Sequence, residues 1–135
     1  LEVRCDEAWS ALDIGTVINP REARGQVEGG MVQALGYALV ERVSYADDGR
    51  VRENRLQTYV IPTSADVPPL HVAFVEVPYS NGPFGAKGLG ELPMNGLAPA
   101  LRNAVRQALG TAPARLPMTP DEVLAALGPG AAPGR

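Results

Sequence analysis

Apolar residues recur with helical spacing in two stretches of the chain. In the first stretch, from about Gly25 to Val40, they are Val27, Met31, Ala34, Leu35, Ala38 and Leu39. In the second stretch they are Leu97, Leu101, Ala104, Val105, Ala108 and Leu109. Such spacing marks one buried face of a helix, and Gly110 stands where a helix commonly ends. The pattern therefore predicts two amphipathic helices.

The segment between these helices has the composition of strands. Residues 70–77 are nearly continuous in apolar content, which is typical of a strand covered on both faces. Residues 41–60 contain strand-forming residues on either side of Asp47-Asp48-Gly49, and this predicts a hairpin whose second strand has an uncertain register. Pro62 ends that strand, and Pro68-Pro69 keeps the following connection extended.

Short capping signals complete the predicted secondary structure. Asn19 and Pro20 predict a short helical turn before the first long helix. Thr119, followed by Pro120, predicts a short C-terminal helix that ends near Leu127. Residues 128–135 contain only Gly, Pro, Ala and Arg, and we expect a disordered tail there. The chain is thus predicted to form one α+β domain over residues 1–127, with a mixed sheet, two longer helices packed on one side of it and the short C-terminal helix.

Composition excludes several classes of function. A net charge of −3 and a pI near 5.1 provide no basic surface for nucleic acid or anionic membranes. No apolar run approaches the roughly 20 residues that span a bilayer, so we expect a cytoplasmic protein. The single cysteine, Cys5, can form neither an internal disulfide nor an iron–sulfur cluster. His71 is the only histidine, and we interpret it as a surface residue rather than a metal ligand.

Two glycine-rich segments carry the candidate chemistry. One runs from Gly82 to Pro93 and contains a single carboxylate, Glu91, near its end. Its glycines are Gly82, Gly85, Gly88 and Gly90. Glycines of this kind permit positive φ and close approach to a ligand, although an ordinary connecting loop has a similar composition. The order of the glycines, and a glycine after Lys87 instead of Ser or Thr, argue against a nucleotide loop.

The other glycine-rich segment lies in the first predicted helix. Each glycine inside a helix costs about 0.8 to 1 kcal/mol relative to alanine, so Gly29, Gly30 and Gly36 require an explanation. Close packing accounts for Gly36 as well as a functional role does. Gly25, Gly29 and Gly30, at the predicted helix start, would leave N–H groups open to an anion, and Gln26 would add an amide donor. Taken alone, Gln26 could equally be a solvated residue of the first turn.

Several short motifs, taken together, resemble one known family. In chain order they are Asp13-Ile-Gly15, Ile18-Asn19-Pro20, Gly25-Gln26-Val-Glu28-Gly29-Gly30, Tyr59-Val-Ile-Pro62-Thr63, Asp66-Val-Pro68 and Gly85-Ala-Lys87-Gly-Leu-Gly90-Glu91. Their order and spacing resemble the molybdenum hydroxylase family of xanthine dehydrogenase and aldehyde oxidase. The resemblance covers roughly residues 10–127 and corresponds to the C-terminal part of the molybdopterin-binding subunit.

The resemblance implies a role for each candidate residue. It places Gln26 near the phosphate end of the pterin, beside Gly25, Gly29 and Gly30. It places Glu91 beside the metal, as the general base that activates the oxygen nucleophile, with Gly88 and Gly90 near the cofactor. Lys87 either lies near the cofactor or forms an ion pair on the loop. The pterin's dithiolene sulfurs hold the molybdenum, so no protein metal ligand is expected.

The resemblance also implies partners. At 135 residues the chain is several times shorter than a complete subunit of the family, so we expect a fragment or a small subunit completed by another chain. The remaining molybdopterin domains, and 2Fe-2S and FAD domains or subunits, would be its partners in hydroxylating a heterocycle or an aldehyde with oxygen from water. Isolated, the chain is expected to be inactive and to form homo-oligomers through exposed apolar surface. The alternative is a noncatalytic fragment or small interaction subunit that binds no cofactor alone.

Overall fold

A computed structural model describes residues 1–128 of the chain. Its elements in order are strand β1 (Ala8–Asp13), helix α1 (Pro20–Leu39), strand β2 (Leu70–Val75), a 3₁₀ turn (Pro83–Gly85), helix α2 (Met94–Leu109) and helix α3 (Pro120–Leu127). This arrangement confirms the predicted α+β class. Of the predicted tail, only Gly128 lies within the described residues.

Helix α1 is longer than the sequence pattern predicted. The Asn19 side chain accepts a hydrogen bond from the Glu22 amide at 3.3 Å, and Pro20 occupies the first turn. These signals start a continuous helix at Pro20, so the predicted separate turn and later helix start are wrong. At the other end, the amides of Val40 and Glu41 both donate to the Gly36 carbonyl.

The other two helices follow their predicted boundaries closely. Helix α2 ends at Leu109, and Gly110 adopts a left-handed conformation with φ 73°. Helix α3 begins after Thr119, whose hydroxyl accepts from the Glu122 amide at 3.4 Å, and it ends at Leu127. The C-terminal helix is therefore confirmed at both of its ends.

The sheet within residues 1–128 is smaller than the predicted mixed sheet. It contains two parallel strands, with Ala8 opposite Leu70 and Asp13 opposite Val75. Strand β1 was not predicted, because Ala8–Asp13 is short and mixes small, polar and apolar residues. Strand β2 ends at Val75, two positions earlier than predicted.

One face of this sheet is exposed, which contradicts the prediction that the second strand is covered on both faces. The alternate residues Leu12, Leu70, Val72 and Phe74 pack towards the helices. The opposite face carries Trp9, Ala11, His71, Ala73 and Val75. Trp9 is 69% exposed, and its ring stacks on that of His71 with 5.1 Å between ring centroids. His71 is thus a surface residue, as predicted.

The predicted hairpin between residues 41 and 60 is wrong in its strands and correct in its turn. Gly49 has φ 81° and its amide donates to Ala46, which closes the turn. Beyond the turn the two arms share a single bridge, between Tyr45 and Val51. Within residues 41–60 side chains provide further contacts instead, because the Ser44 hydroxyl donates to Glu53 at 2.7 Å and the Tyr59 hydroxyl donates to Glu41 at 2.5 Å.

The core lies between α1, α2 and the inner face of the sheet. Its buried members from the two long helices are Val27, Met31, Ala34, Leu35, Ala38, Leu97, Ala98, Leu101 and Val105. The buried face predicted for α1 is therefore confirmed, whereas Ala104, Ala108 and Leu109 of α2 are exposed. Met118 and Val123 extend the core towards α3. None of the helices within residues 1–128 combines the length and apolar content needed to cross a bilayer.

Candidate functional site

The glycine loop that precedes Glu91 is attached to the end of strand β1. The attachment, which we call the junction, joins residues 13–16 to residues 82–87. The Lys87 amide donates to the Ile14 carbonyl at 2.8 Å, and the Thr16 amide donates to the Gly85 carbonyl at 2.9 Å. Gly15 also forms a bridge with Ala86. An irregular loop is thus held by backbone hydrogen bonds to a regular strand end.

Side chains reinforce the junction through one carboxylate. Asp13 accepts from the Gly15 amide at 2.9 Å and from the Lys87 ammonium at 2.5 Å. The hydrogen bond from Lys87, and then that from Gly15, hold the pKa of the Asp13 carboxyl below its usual range. Of the two roles predicted for Lys87, the structure contains the ion pair.

The junction admits no side chain at Gly15 or at Gly82. The φ of Gly15 is 65°, and a methyl group there would overlap the carbonyl oxygen of Gly85. A methyl group at Gly82 would overlap the carbonyl oxygen of Ala86. Within the glycine loop itself, positive φ occurs at Gly85 and at the non-glycine residue Phe84. Of the four loop glycines, which permit positive φ, only Gly85 adopts it, whereas Gly82, Gly88 and Gly90 do not.

A second attachment joins the far end of the loop to helix α1. The Gln26 side-chain amide donates to the Gly90 carbonyl at 2.7 Å. Three residues beyond Gly90, Pro93 packs on Gly30, where an added Cβ would lie 2.7 Å from the Pro93 Cβ. Glu91 lies between these two contacts, with an exposed side chain and a backbone carbonyl that accepts from the Met94 amide at 3.1 Å. The structure thus brings Gln26 and the Glu91 loop together.

Four of the predicted site glycines differ from Gly15 and Gly30 in their surroundings. At Gly25, Gly29, Gly88 and Gly90, an added Cβ would meet nothing within 4 Å among residues 1–128, apart from the glycine's own immediate neighbours. None of these glycines has a positive φ. We call this set the open glycine face. Neither backbone conformation nor packing within the described residues requires glycine at these positions.

The helix boundary changes the argument for Gly25, Gly29 and Gly30. Because α1 begins at Pro20, these glycines lie inside the helix and not at its N-terminus. Their amides are therefore in the part of the helix where N–H groups bond within the helix, and the anion-binding argument from free N–H groups is wrong. Gly36 is explained by close packing, since a methyl group there would overlap the Glu41 side chain and crowd Pro62.

The sequence reasoning assigned no role to Asp13, Gly15 or Pro93. Asp13 and Gly15 stand in an Asp-x-Gly pattern, in which an aspartate side chain accepts from the amide two residues later. This pattern could have indicated a tight turn. It could not have indicated Lys87 as the partner, because the two residues are brought together only by the fold.

Two surface hollows accompany these elements. The smaller, of about 410 Å³, lies beside the loop and is lined by Tyr79, Asn81, Gly82, Pro83, Ala86, Lys87 and Gly88. The larger, of about 800 Å³, is lined mainly by residues 1–6 and 60–69 and by the end of α1. The larger hollow contains none of the predicted site residues, so its size does not identify it as the site. Among residues 1–128, no three His, Cys, Asp or Glu side chains are grouped to hold a metal ion.

Comparison with known proteins identifies the family. Residues 1–68 match the family model described as a molybdopterin cofactor-binding domain. The putative xanthine dehydrogenase molybdenum-binding subunit XdhA of Escherichia coli strain K12 is 45% identical over 112 residues, which cover 82% of this chain. The probable hypoxanthine oxidase XdhD of the same strain is 35% identical over 93% of the chain, an alignment that includes Gln26 and Glu91.

The fold is also similar to that of a solved structure. Quinoline 2-oxidoreductase from Pseudomonas putida 86 superposes with a TM-score of 0.81 over 88% of this chain, at 35% identity. The chain spans only 15% of the length of the E. coli molybdenum-binding subunit and 16% of the quinoline 2-oxidoreductase chain. The family matched over residues 1–68 agrees with the resemblance carried by the motifs. This chain therefore belongs to the molybdopterin cofactor-binding family of xanthine dehydrogenase and aldehyde oxidoreductase molybdenum subunits.

Proposed function

We propose that this chain forms one wall of a molybdenum cofactor site in a hydroxylase that transfers water-derived oxygen to a heterocycle or an aldehyde. The observation that carries the proposal is the hydrogen bond of 2.7 Å between the Gln26 amide and the Gly90 carbonyl. It joins the helix and the loop that hold the candidate residues, and it places Glu91 next to the joined atoms. The open glycine face borders the same contact.

The open glycine face is suited to a large, flat ligand. Side chains at Gly25, Gly29, Gly88 and Gly90 would project into space that residues 1–128 do not fill. Glycine at such positions lets the backbone approach a ligand closely, and Gly29 bears the helix penalty of about 0.8 to 1 kcal/mol for it. Gly30 and Lys87 are engaged by Pro93 and Asp13, so we assign them to support of the loop rather than to contact with the pterin.

Each remaining residue has a distinct role in this proposal. Gln26 binds near the phosphate end of the pterin, while its amide also supports the loop. Glu91 accepts a proton from the oxygen nucleophile, for which an exposed carboxylate on a fixed loop is suited. When bound, the molybdenum cofactor supplies the redox chemistry and the site of oxygen transfer. The chain's own residues bind and orient the cofactor and remove the proton from the oxygen nucleophile.

A chimaeric enzyme tests the proposal. Residues 1–127 replace the matching segment of the E. coli subunit that is 45% identical, and xanthine serves as the probe substrate. Glu91→Gln should leave molybdenum and pterin content unchanged and lower the rate of enzyme reduction by about 10² to 10⁴, the usual contribution of a general base. That loss equals roughly 3 to 5.5 kcal/mol of transition-state stabilisation. Reduction of Glu91→Gln at the parent rate, per bound molybdenum, would show that Glu91 is not the base.

Gln26→Ala provides the complementary measurement in the same chimaera. Losing an amide that touches both loop and cofactor should reduce the molybdenum and pterin retained after gel filtration. The rate per bound molybdenum should fall much less than in Glu91→Gln. Gln33→Ala is the matched control, because Gln33 is also an exposed glutamine of α1 but lies outside the predicted site. Equal cofactor retention in the two alanine variants would contradict the role given to Gln26.

The exposed face of the sheet is a reason to expect partners beyond this chain. Parallel sheets are normally covered on both faces, yet Trp9 and Val75 are 69% and 51% exposed. We propose that remaining domains of a molybdopterin subunit cover this face, and that 2Fe-2S and FAD domains or subunits accept the electrons. The predicted cytoplasmic location also stays a proposal.

We propose that the isolated chain is inactive and that it self-associates. One wall cannot enclose most of a large cofactor's surface, so purified chain should contain no stoichiometric molybdenum and should show no turnover. Its exposed apolar face should instead pair with a second copy. Light scattering that shows a monomer at high concentration, without binding of a dye specific for apolar surface, would contradict self-association. A noncatalytic module is the less favoured alternative, and native-like cofactor content in the chimaera would exclude it.

A further inference from the structure

The loop before Glu91 is held at two attachments, which are the junction and the contact of Gly90 with Gln26. It contains glycine at four of the nine positions from Gly82 to Gly90, so its backbone is intrinsically flexible. A general base must lie within hydrogen-bond reach of the proton it removes, and small displacements reduce its efficiency. The position of Glu91 therefore depends on whatever restrains this loop.

The junction provides the restraint on the N-terminal side of Glu91. Lys87 is held at two points, by its amide to the Ile14 carbonyl at 2.8 Å and by its ammonium to Asp13 at 2.5 Å. Asp13 is itself held by the Gly15 amide at 2.9 Å, and it ends a paired strand. Lys87, four residues before Glu91, is thus anchored to the sheet, while the Gly90 carbonyl is held separately by the Gln26 amide at 2.7 Å.

The ion pair has a geometry suited to positioning rather than to stability. The Lys87 and Asp13 side chains are 31% and 37% exposed, so solvent screens their attraction. Half-exposed pairs contribute little to unfolding free energy. They can still select one arrangement of a glycine-rich loop, because glycine backbones have many alternative conformations.

We propose that Asp13 and Lys87 are positioning residues for Glu91, and that their ion pair sets the place of the carboxylate by fixing the loop to the end of β1. The proposal rests on the function proposed above, in which Glu91 is the base. Asp13 has no contact with the reacting atoms in this scheme. It acts through Lys87 and the loop backbone.

The first test measures loop mobility in the 135-residue chain and requires neither cofactor nor activity. Hydrogen exchange of the Thr16 and Lys87 amides, which donate across the junction to the Gly85 and Ile14 carbonyls, should accelerate by about twofold to fivefold in Asp13→Asn, as expected for loss of a half-exposed ion pair. Lys87→Met should give a similar increase, and the double variant no more than either single one. Asp48→Asn is the matched control, since it breaks the exposed Arg50–Asp48 pair in the distant turn.

Unchanged exchange of the Thr16 amide and of the amide at position 87 in both single variants would overturn the proposal. Equal acceleration by Asp48→Asn would also overturn it, because the effect would then be a general loss of stability. Two different single variants keep the test valid if one of them folds poorly.

The second test measures the consequence for catalysis in the chimaera. Asp13→Asn should lower the limiting rate of reduction by xanthine per bound molybdenum, with molybdenum content unchanged. In a Glu91→Gln background, Asp13→Asn should cause no further loss, because a positioning residue has nothing left to position. An additive loss in that background would overturn the proposal.

The two proposals fail in distinguishable ways. If Glu91→Gln alone keeps the parent rate, the proposed function fails, whatever the exchange results. If Glu91→Gln is slow but Asp13→Asn changes neither exchange nor rate, the positioning role fails and the proposed function stands.

Discussion

The junction and the open glycine face lie next to each other and use the same residue type for different reasons. At the junction, Gly15 has φ 65° and touches the Gly85 carbonyl, so the fold itself requires glycine. On the open glycine face, Gly25, Gly29, Gly88 and Gly90 have ordinary backbone angles and no close neighbour among residues 1–128. Internal packing therefore explains Gly15 at the junction but not the glycines of the open glycine face.

We propose that this difference distinguishes glycines that the fold requires from glycines that a ligand requires. Replacing a glycine that the fold requires should lower the unfolding free energy of the isolated chain. Replacing a glycine that a ligand requires should leave that free energy unchanged or raise it, and should weaken binding of the ligand.

The largest effect should come from Gly15→Ala. The left-handed conformation costs a side chain roughly 1 to 2 kcal/mol, and overlap with the Gly85 carbonyl brings the expected loss of unfolding free energy to about 2 to 4 kcal/mol. Gly49→Ala is the matched control, with φ 81° and nothing within 4 Å among residues 1–128, so it should lose only about 1 to 2 kcal/mol. Urea unfolding of the isolated chain measures both. Equal losses would mean that the junction adds no packing requirement.

A smaller effect is expected from comparing Gly30→Ala with Gly29→Ala. Both substitutions gain the same helix propensity, but only Gly30 faces a neighbour, the Pro93 Cβ at 2.7 Å. Overpacking typically costs about 1 to 3 kcal/mol, so Gly30→Ala should be less stable than Gly29→Ala by that amount. Thermal or urea unfolding of the two variants provides the comparison. Identical stabilities would show that the contact between α1 and Pro93 accommodates the methyl group with no loss of unfolding free energy.

Gly29→Ala alone should change stability and function in opposite directions. In the isolated chain it should raise the unfolding free energy by about 0.8 to 1 kcal/mol, the propensity difference between alanine and glycine. In the chimaera it should reduce molybdenum and pterin retention, because the methyl group would project into the proposed cofactor space. Metal analysis alongside urea unfolding tests the pair of results. Stabilisation with full cofactor retention would remove Gly29 from the proposed site.

The smallest effect is the pH dependence of the junction. The pKa of Asp13 is lowered by its hydrogen bonds from Lys87 and Gly15, relative to an ordinary value of about 3.9. Its stabilising contribution is therefore present above about pH 4 and is lost as the pH falls through the lower folded pKa. The stability difference between the parent and Asp13→Asn should be constant from pH 5 to pH 8 and should shrink below about pH 4. Unfolding curves at several pH values measure it, and a difference that grew on acidification would contradict the assignment.

Local signals were sufficient wherever a few neighbouring residues determine the structure. The caps Asn19 and Thr119, the end of α2 at Gly110 and the buried face of α1 follow from spacing and capping chemistry. The turn at Gly49 belongs to the same class, because its residues meet their partners within the turn. The motifs, taken together, were also enough to indicate the family that the comparisons show.

Strands were less predictable than helices. The composition of residues 41–60 favours a hairpin, yet the arms share one bridge, and hydrogen bonds from Ser44 to Glu53 and from Tyr59 to Glu41 replace strand pairing. Strand β1 was missed because its partner, β2, lies about 60 residues away and the segment alone has no strong pattern. Strand formation depends on what a segment pairs with, and the sequence of the segment does not contain its partner.

The candidate site divides in the same way. The sequence by itself determined that Glu91 ends a glycine-rich loop and that Gln26 lies among helix glycines, and its motifs indicated the molybdopterin-binding family. Only the tertiary structure decided that Gln26 contacts Gly90, that Lys87 pairs with Asp13, and that Gly30 packs against Pro93 while Gly29 does not. The physical reason is separation along the chain: these contacts join residues more than 60 positions apart, and their geometry exists only once α1, the sheet and the loop have packed together.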